Sequence, residues 1–282
     1  MGAAVSRIEA FRDFYARLVV GTAGVSSNAE RLISAFRSVP REQFVGPGPW
    51  SVLTPAGYVQ TRTDDAAILY QDIVVSLVEG GPINNGQPSL HAACLAALDL
   101  RAGEIGLHVG AGTGYYTEIL ALLVGQQGHI YAYEIDPLLA QRAIQNLAGT
   151  SQVSVHCCSG AFNPLPACDF IYVNAGATHP ADAWLDALNP GARLLLPLTP
   201  SQGLGGMLLL TRTTVDEFKA KFVSTAMFVP CIGCRDENLA NKLSKAFQMG
   251  DIWQASSLRR NTLPDASCCF AAANWWLSTA SV

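Results

Sequence analysis

The chain has 282 residues, of which half are hydrophobic and only 14% are charged. Its formal net charge at pH 7 is −4, and no run of Lys and Arg suited to a phosphate backbone is present, so we expect no nucleic-acid partner. No apolar stretch approaches the roughly 20 residues that a membrane-spanning helix needs. Charged residues interrupt the first 17 positions, which argues against a signal peptide. We therefore expect a cytoplasmic protein without a membrane partner.

The first 85 residues predict a small, partly helical cap. Apolar residues recur at helical spacing over residues 5–20. Ser27 to Glu30 match a capping box for a second helix, which we expect to end before Val39-Pro40 because the residue before a proline avoids the helical conformation. Residues 46–65 are rich in Gly, Pro, Thr and Asp and predict a loop.

From residue 88 onward, helical and apolar strand patterns alternate, which predicts an α/β fold with a parallel sheet and helices on both faces. Asp136-Pro137 supplies an N-cap and first-turn proline for one of these helices. We divide the chain into a cap (1–85), an α/β domain (86–235) and a C-terminal extension (236–282) that holds one helix and one strand, 268–278. The predicted elements of the α/β domain are helix 88–99, strand 105–109, helix 115–124, strand 129–134, helix 137–148, strands 152–157 and 169–174, a helix around 180–188, strand 192–198, and an antiparallel pair, 206–212 and 218–229.

The eight cysteines do not indicate a metal site. Cys231 and Cys234 form a single CxxC motif, and no second pair of ligands follows at zinc spacing. Without a secretory signal, reduced and buried thiols are the expected state. We therefore predict that the chain holds no metal.

The strongest chemical signal is a glycine-rich turn between a predicted strand and a predicted helix. Leu107-His108-Val109 leads into Gly110, Gly112 and Gly114, and Glu134 ends the next strand, 20 residues after the last glycine (134 − 114 = 20). Glycines let the backbone turn sharply and approach a ligand, and an acid in this place can accept hydrogen bonds from a ribose diol. The alternative is a tight strand-to-helix turn beside an incidental acid.

The order of several segments resembles the protein-L-isoaspartate O-methyltransferase family over roughly residues 27–233. The alternating Gly-x-Gly-x-Gly spacing is similar to the first motif of class I methyltransferases and differs from the dinucleotide-binding Gly-x-Gly-x-x-Gly. The segments that carry the resemblance are Val39 to Val45, Gly86-Gln87-Pro88, Leu107 to Tyr115, Tyr133-Glu134-Ile135, Val173 to Ala177 and Leu188 to Leu194.

The resemblance implies a Rossmann-like class I methyltransferase sheet and S-adenosyl-L-methionine as the cofactor. Ser159 stands where the family has an adenine-contacting Asp. The cofactor-binding residues that the resemblance implies are His108, Gly110, Ala111, Gly112, Gly114, Tyr115, Glu134, Ile135, Ser159, Gly160, Asn174, Pro88 and Ser89.

The resemblance also implies O-methylation of a carboxylate on a peptide, a protein or a small molecule. Gly86 stands where the family has a Ser or Thr that faces the reacting carboxylate, and a glycine offers only its N–H to such a group. Gly86, Gln87 and Asn174 are the predicted catalytic residues. Two alternatives stay open: a specialised methyltransferase of a small metabolite or peptide precursor, with His91 or His179 as the base for an amine or phenol, and a non-catalytic cofactor-binding scaffold. The sequence does not indicate an oligomeric state.

Overall fold

A computed structural model describes residues 6–162 and 164–282. The first five residues of the predicted cap and Asn163 lie outside the described residues. Two short 3-10 helices occur at Ala66–Leu69 and Asp251–Gln254. The α-helices are α1 (Arg7–Thr22), α2 (Ala29–Ser38), α3 (Arg41–Val45), α4 (Pro88–Leu98), α5 (Tyr115–Val124), α6 (Pro137–Asn146), α7 (Asp182–Ala187) and α8 (Glu237–Met249). The strands are β1 (Ser51–Thr54), β2 (Gly57–Gln60), β3 (Ile105–Val109), β4 (His129–Glu134), β5 (Val153–Cys157), β6 (Cys168–Val173), β7 (Leu188–Leu198), β8 (Gly205–Arg212), β9 (Glu217–Ala226), β10 (Ser257–Arg260), β11 (Cys268–Ala271) and β12 (Trp275–Ser278).

The chain divides into two compact units. The first unit comprises the residues up to Gly103 together with Ala111–Cys157, and the second comprises Glu104–Gly110 together with Cys158–Val282. Neither predicted boundary, 85/86 or 235/236, coincides with a boundary between these units, so the three-part division stays a prediction. None of the described helices combines the length and the apolar character that crossing a bilayer requires.

The second unit is built on a sheet with the strand order β11-β12-β10-β9-β8-β7-β6-β3. The pairs β3–β6 and β6–β7 are parallel, whereas the pairs from β7 through β8, β9, β10 and β12 to β11 are antiparallel. Phe170, Tyr172, Trp184 and Phe218 are fully buried in this unit. The prediction of an α/β fold with a large sheet, parallel strands and a final antiparallel pair is confirmed.

The first unit contains the parallel pair β4–β5 with helix α6 between the two strands in sequence. Helix α6 begins as predicted, because the Asp136 side chain accepts hydrogen bonds from the N–H groups of Leu138 (2.8 Å) and Leu139 (3.0 Å), and Pro137 occupies the first turn. A hydrophobic cluster joins residues that precede helix α4 in the chain to helix α6. It comprises Val45, Trp50, Leu69, Val75, Leu77 and Leu139, against which Val52, Ile73 and Ile83 pack.

The predicted capping box at Ser27–Glu30 is wrong. Helix α2 begins at Ala29, and the N-cap residue Asn28 has a φ of +60° and caps no helical N–H with its side chain. That side chain instead donates to Asp99 Oδ1 at 2.8 Å. The capping box of this region belongs to helix α1, where Ser6 Oγ accepts from Glu9 N–H and Glu9 Oε2 accepts from Ser6 N–H.

Two stretches contain strands that the sequence pattern did not predict. Residues 46–65 were predicted to be loop, but β1 and β2 pair there as an antiparallel hairpin held by Leu53 N–H donating to Val74 O and Ser76 N–H donating to Ser51 O. The predicted strand 268–278 is two strands, β11 and β12, and β10 precedes them. These strands have only four residues each, too few for a clear alternation of apolar and polar residues.

Arg41 organises the segment that precedes helix α4. Its guanidinium is fully buried and donates to the carbonyl oxygens of Leu69 (2.6 Å), Gln71 (3.0 Å) and Ile73 (2.5 Å). It also lies 5.6 Å from the centre of the Tyr15 ring. One cation thus fixes three carbonyl groups of an irregular segment, and a buried polar group without a partner is costly.

We expect Arg41→Met to lower the free energy of unfolding by about 3 kcal/mol, because three carbonyl groups lose their donor. Urea denaturation followed by circular dichroism measures the change. Arg7→Met is the control, because Arg7 is exposed and its contacts, an ion pair with Asp65 and a position over the Phe11 ring, lie at the surface. Equal unfolding midpoints for the two variants would contradict this role of Arg41.

Candidate functional site

The predicted glycine loop connects β3 to α5. Gly110, Gly112 and Gly114 have φ values of +77°, +58° and +96°, a region of backbone conformation that other residues rarely adopt. At Gly112, an added Cβ would also lie 3.3 Å from Leu77 Cδ1. The loop therefore presents backbone rather than side chains, as the sequence predicted.

Glu134, the last residue of β4, holds this loop through its carboxylate. Its Oε2 accepts from Gly112 N–H at 2.7 Å, and its Oε1 accepts from Asp136 N–H at 2.9 Å. The residue is only 7% exposed, and burial raises the pKa of its carboxyl group above the usual value, while the backbone hydrogen bonds act in the opposite direction. A carboxylate has about four acceptor positions, so two remain for hydroxyl groups of a ligand. The loop and this acid fit the ribose of a nucleoside.

Two further residues of the predicted cofactor set lie in the first unit beside this loop. The hydroxyl groups of Tyr115 and Tyr15 share a hydrogen bond of 3.1 Å, and the Tyr115 ring packs edge-on against Phe44. Ile135 is 43% exposed. The Tyr115 side chain is thus part of the protein core, and cofactor contacts of both residues stay predictions.

In the second unit, His108 and Asn174 form a hydrogen-bonded pair. Asn174 Nδ2 lies 2.7 Å from His108 Nε2, and Asn174 N–H donates to Val109 O. Burial lowers the pKa of His108 to about 3, so the ring is neutral and accepts from the Asn174 amide. The imidazole is fully buried and stacks on Tyr172, so His108 fixes the orientation of Asn174. Asn174 Oδ1 is buried and has no partner among the described residues.

The predicted adenine-binding residues Ser159 and Gly160 also lie in the second unit. Ser159 Oγ accepts from Ala161 N–H at 3.2 Å, and Gly160 O accepts from Trp184 Nε1 at 2.6 Å. These bonds shape the turn after β5. Adenine recognition by Ser159 and Gly160 stays a prediction.

Asp72 holds residues 84–89 of the first unit, the acceptor segment, which contains the predicted catalytic residues Gly86 and Gln87. The Asp72 carboxylate accepts from Ser89 N–H (2.8 Å), Ser89 Oγ (2.6 Å) and Gln87 Nε2 (3.0 Å). Ser89 and Pro88 are buried in the first turn of α4, so Asp72 caps this helix from outside it. Asp72 was not predicted from the sequence, because no known motif pairs an acidic residue with a side chain 15 residues later.

The Gly86 N–H, the one donor that a glycine offers here, is already engaged within the protein. This N–H donates to Asn84 Oδ1 at 2.9 Å, an Asx turn that closes the loop on itself. Gly86 has a φ of +70°, and an added Cβ would lie 2.1 Å from His91 Nε2. The His91 ring thus occupies the space that a Ser or Thr side chain would need.

Neither candidate base is fully exposed, because His91 is buried and His179 is half-buried. His91 is 2% exposed, and its ring stacks on Tyr116 at 3.7 Å between centroids. His179 lies in the second unit, in a surface pocket lined also by Phe162, Asp182 and Asn274. Burial lowers the pKa of His179. Among the described residues, no group of three or more His, Cys, Asp and Glu side chains is placed to hold a metal ion.

Comparison with known proteins now identifies the family. Residues 22–236 match the family model described as protein-L-isoaspartate(D-aspartate) O-methyltransferase. This chain belongs to the protein-L-isoaspartate O-methyltransferase family. It is 32% identical over 214 residues to protein-L-isoaspartate O-methyltransferase 1 of Rhodopseudomonas palustris (strain HaA2), covering 74% of this chain and 78% of that protein. It is also 32% identical over 207 residues to protein-L-isoaspartate O-methyltransferase 2 of Marinobacter nauticus, covering 72% and 85%.

Solved structures share the fold of this family member. A structure titled protein-L-isoaspartate O-methyltransferase aligns with a TM-score of 0.65 at 22% identity, covering 84% of this chain and 70% of that one. A putative family enzyme from Plasmodium falciparum, in complex with S-adenosyl-L-homocysteine, aligns with a TM-score of 0.62 at 15% identity, covering 78% and 97%. The predicted class I methyltransferase fold and the predicted cofactor, S-adenosyl-L-methionine, are confirmed.

We expect Glu134→Gln to weaken binding of S-adenosyl-L-homocysteine by roughly 100-fold, because an amide nitrogen replaces one charged acceptor in a buried place. Isothermal titration calorimetry measures the affinity. Glu118→Gln in α5 is the matched control, since Glu118 Oε2 accepts from Thr150 Oγ1 outside the glycine loop, and its affinity should equal that of the wild type. Equal affinities for the two variants would exclude Glu134 from the nucleoside site.

Proposed function

We propose that this chain catalyses S-adenosyl-L-methionine-dependent O-methylation of a carboxylate, with an isoaspartyl peptide or protein as the acceptor. The family to which the chain belongs carries the proposal, together with the bare glycine loop held by Glu134. We also propose a cytoplasmic location, for which the composition of the sequence is the support.

The residues that would hold the cofactor are the backbone of residues 110–114 and the Glu134 carboxylate. S-adenosyl-L-methionine supplies a methyl group that its sulfonium already activates. The protein therefore has to orient the acceptor and exclude water, and it needs no strong acid or base for the transfer itself.

The placement of the two candidate histidines favours a carboxylate acceptor over an amine or phenol. A carboxylate is ionised at pH 7 and is a nucleophile without deprotonation. His91 lies stacked in the core of the first unit, and His179 lies in a surface pocket of the second. His91 Nε2 lies beside Gly86, but its ring is buried and stacked on Tyr116, so it is not exposed to an acceptor as a base.

The contact between Gly86 and His91 favours a second candidate, a family member with a specialised carboxylate acceptor. A side chain at position 86 would collide with the His91 ring, so the acceptor-facing hydroxyl that the resemblance implies is excluded here. Such an acceptor would be a small metabolite or a modified peptide precursor that carries a carboxylate.

We expect the purified protein to form a methyl ester, and to release methanol from it, when supplied with S-adenosyl-L-methionine and an isoaspartyl hexapeptide. The same hexapeptide with a normal aspartyl residue is the matched control and should give only background. Turnover confined to other carboxylates would favour the specialised acceptor. Cofactor binding without turnover on any acceptor would instead favour a scaffold and contradict the proposal.

We expect Asp72→Ala to raise the KM for the peptide roughly tenfold, because Gln87 and Ser89 lose the carboxylate that orients them. The affinity for S-adenosyl-L-homocysteine should change much less than this KM, because Glu134 and the glycine loop stay in place. Steady-state kinetics and calorimetry measure the two effects. Asp64→Ala, in an exposed position of the same unit, is the control, and a KM change of the same size there would contradict the role of Asp72.

A further inference from the structure

Asn85 is clamped in one orientation beside Gly86. Its Oδ1 accepts from Val75 N–H at 2.8 Å, and its own N–H donates to Val75 O at 3.0 Å. The first bond identifies the amide oxygen, because a backbone N–H can only donate. The Asn85 Nδ2 group therefore faces away from Val75.

The Nδ2 group of Asn85 is buried without a partner. Asn85 is only 8% exposed, and no hydrogen-bond acceptor lies within reach of Nδ2 among the described residues. A buried donor that has given up water without gaining a partner is rare in native proteins and costly. We therefore expect Asn85 Nδ2 to pair with an acceptor atom that the described residues do not supply.

The neighbouring donors of the segment are already engaged. Gly86 N–H donates to Asn84 Oδ1, and Asn84 Nδ2 donates to Pro82 O. The Gln87 amide and the Ser89 hydroxyl both donate to Asp72. Along the described residues 84–89, Asn85 Nδ2 is thus the buried side-chain donor that remains without a partner.

We propose that Asn85 Nδ2 donates a hydrogen bond to the carboxylate of the methyl acceptor. The assignment rests on the proposed function and makes Asn85 the group that recognises the acceptor in place of a side chain at position 86. Because Nδ2 is buried in this conformation, the groups that cover it have to move aside for the acceptor to reach it, while the two bonds between Asn85 and Val75 stay in place.

The chemistry of the transfer indicates which kinetic constant this bond controls. The acceptor carboxylate is negative before the transfer and becomes a neutral ester, so its hydrogen bonds weaken as the reaction proceeds. A neutral amide donor orients the carboxylate and stabilises it less than a cation would, which leaves the attacking oxygen nucleophilic. Loss of this donor should therefore raise KM more than it lowers kcat.

The test compares Asn85→Leu, Asn85→Asp and Asn84→Asp with the wild type. Binding of an isoaspartyl hexapeptide to the protein saturated with S-adenosyl-L-homocysteine is measured by calorimetry, and KM and kcat are measured separately. Asn85→Leu preserves size but removes both the Nδ2 donor and the Oδ1 that accepts from Val75 N–H. Asn85→Asp keeps that oxygen and replaces the donor with a repelling charge, and Asn84→Asp adds the charge one residue away.

We expect peptide affinity to fall roughly tenfold in Asn85→Leu and roughly 100-fold in Asn85→Asp, against about threefold in Asn84→Asp. The affinity for S-adenosyl-L-homocysteine should be unchanged in all three. Wild-type peptide affinity in Asn85→Leu, or equal losses in the two Asp variants, would overturn the assignment. Failure of the wild type to bind or methylate the peptide would overturn the proposed function itself, and the assignment with it.

A measurement on the wild type keeps the proposal testable if the Asn85 variants do not fold. With selective nitrogen-15 labelling of asparagine side chains, the Asn85 Nδ2 protons should shift downfield when the isoaspartyl hexapeptide saturates the protein. The hexapeptide with the carboxylate replaced by a methyl group should leave them unchanged. An Asn85 resonance that stays in place at saturation with the isoaspartyl peptide overturns the assignment.

Discussion

The hydrogen bond between the Glu134 carboxylate and the Gly112 N–H is the constraint on which the proposed chemistry depends. It fixes a glycine-rich loop against the end of a buried strand, and it keeps a charge in a place where burial disfavours that charge. The backbone donors of Gly112 and Asp136 offset part of the cost of that burial. The two free acceptor positions of the carboxylate are then held ready for a ribose, so the ligand meets a site that needs little rearrangement.

The acceptor segment follows a different principle, in which a buried cation and a half-buried carboxylate hold irregular structure. Arg41 fixes three carbonyl groups around Asp72, and Asp72 in turn holds Gln87 and Ser89. Because most polar groups of this segment are paired within the protein, little is left to bind an acceptor. This scarcity of unpaired donors supports the proposed role of Asn85 Nδ2, which would take the place of a hydroxyl group at position 86.

The sequence predicted the elements that produce strong local signals. Three such signals are the apolar strand before Gly110, the Asp136-Pro137 cap and the spacing to Glu134. Each is a pattern within one or two neighbouring elements of the sequence, and the structure has all three where they were expected. The hairpin of β1 and β2 was missed because its strands are short and its pairing depends on residues 74–76, further along the chain. Asp72 and Asn85 were missed for a related reason: their partners are set by tertiary packing, and no spacing rule connects them. The clash between position 86 and His91 likewise exists only in three dimensions.

The central claim is that Glu134 and the glycine loop hold the nucleoside of the cofactor. A crystal structure of the protein with S-adenosyl-L-homocysteine tests it most directly. The account predicts that the ribose hydroxyl groups lie within hydrogen-bond distance of the Glu134 carboxylate and that the ligand contacts the backbone of residues 110–114. A nucleoside bound elsewhere, with the Glu134 carboxylate contacting only the Gly112 and Asp136 N–H groups, would contradict it.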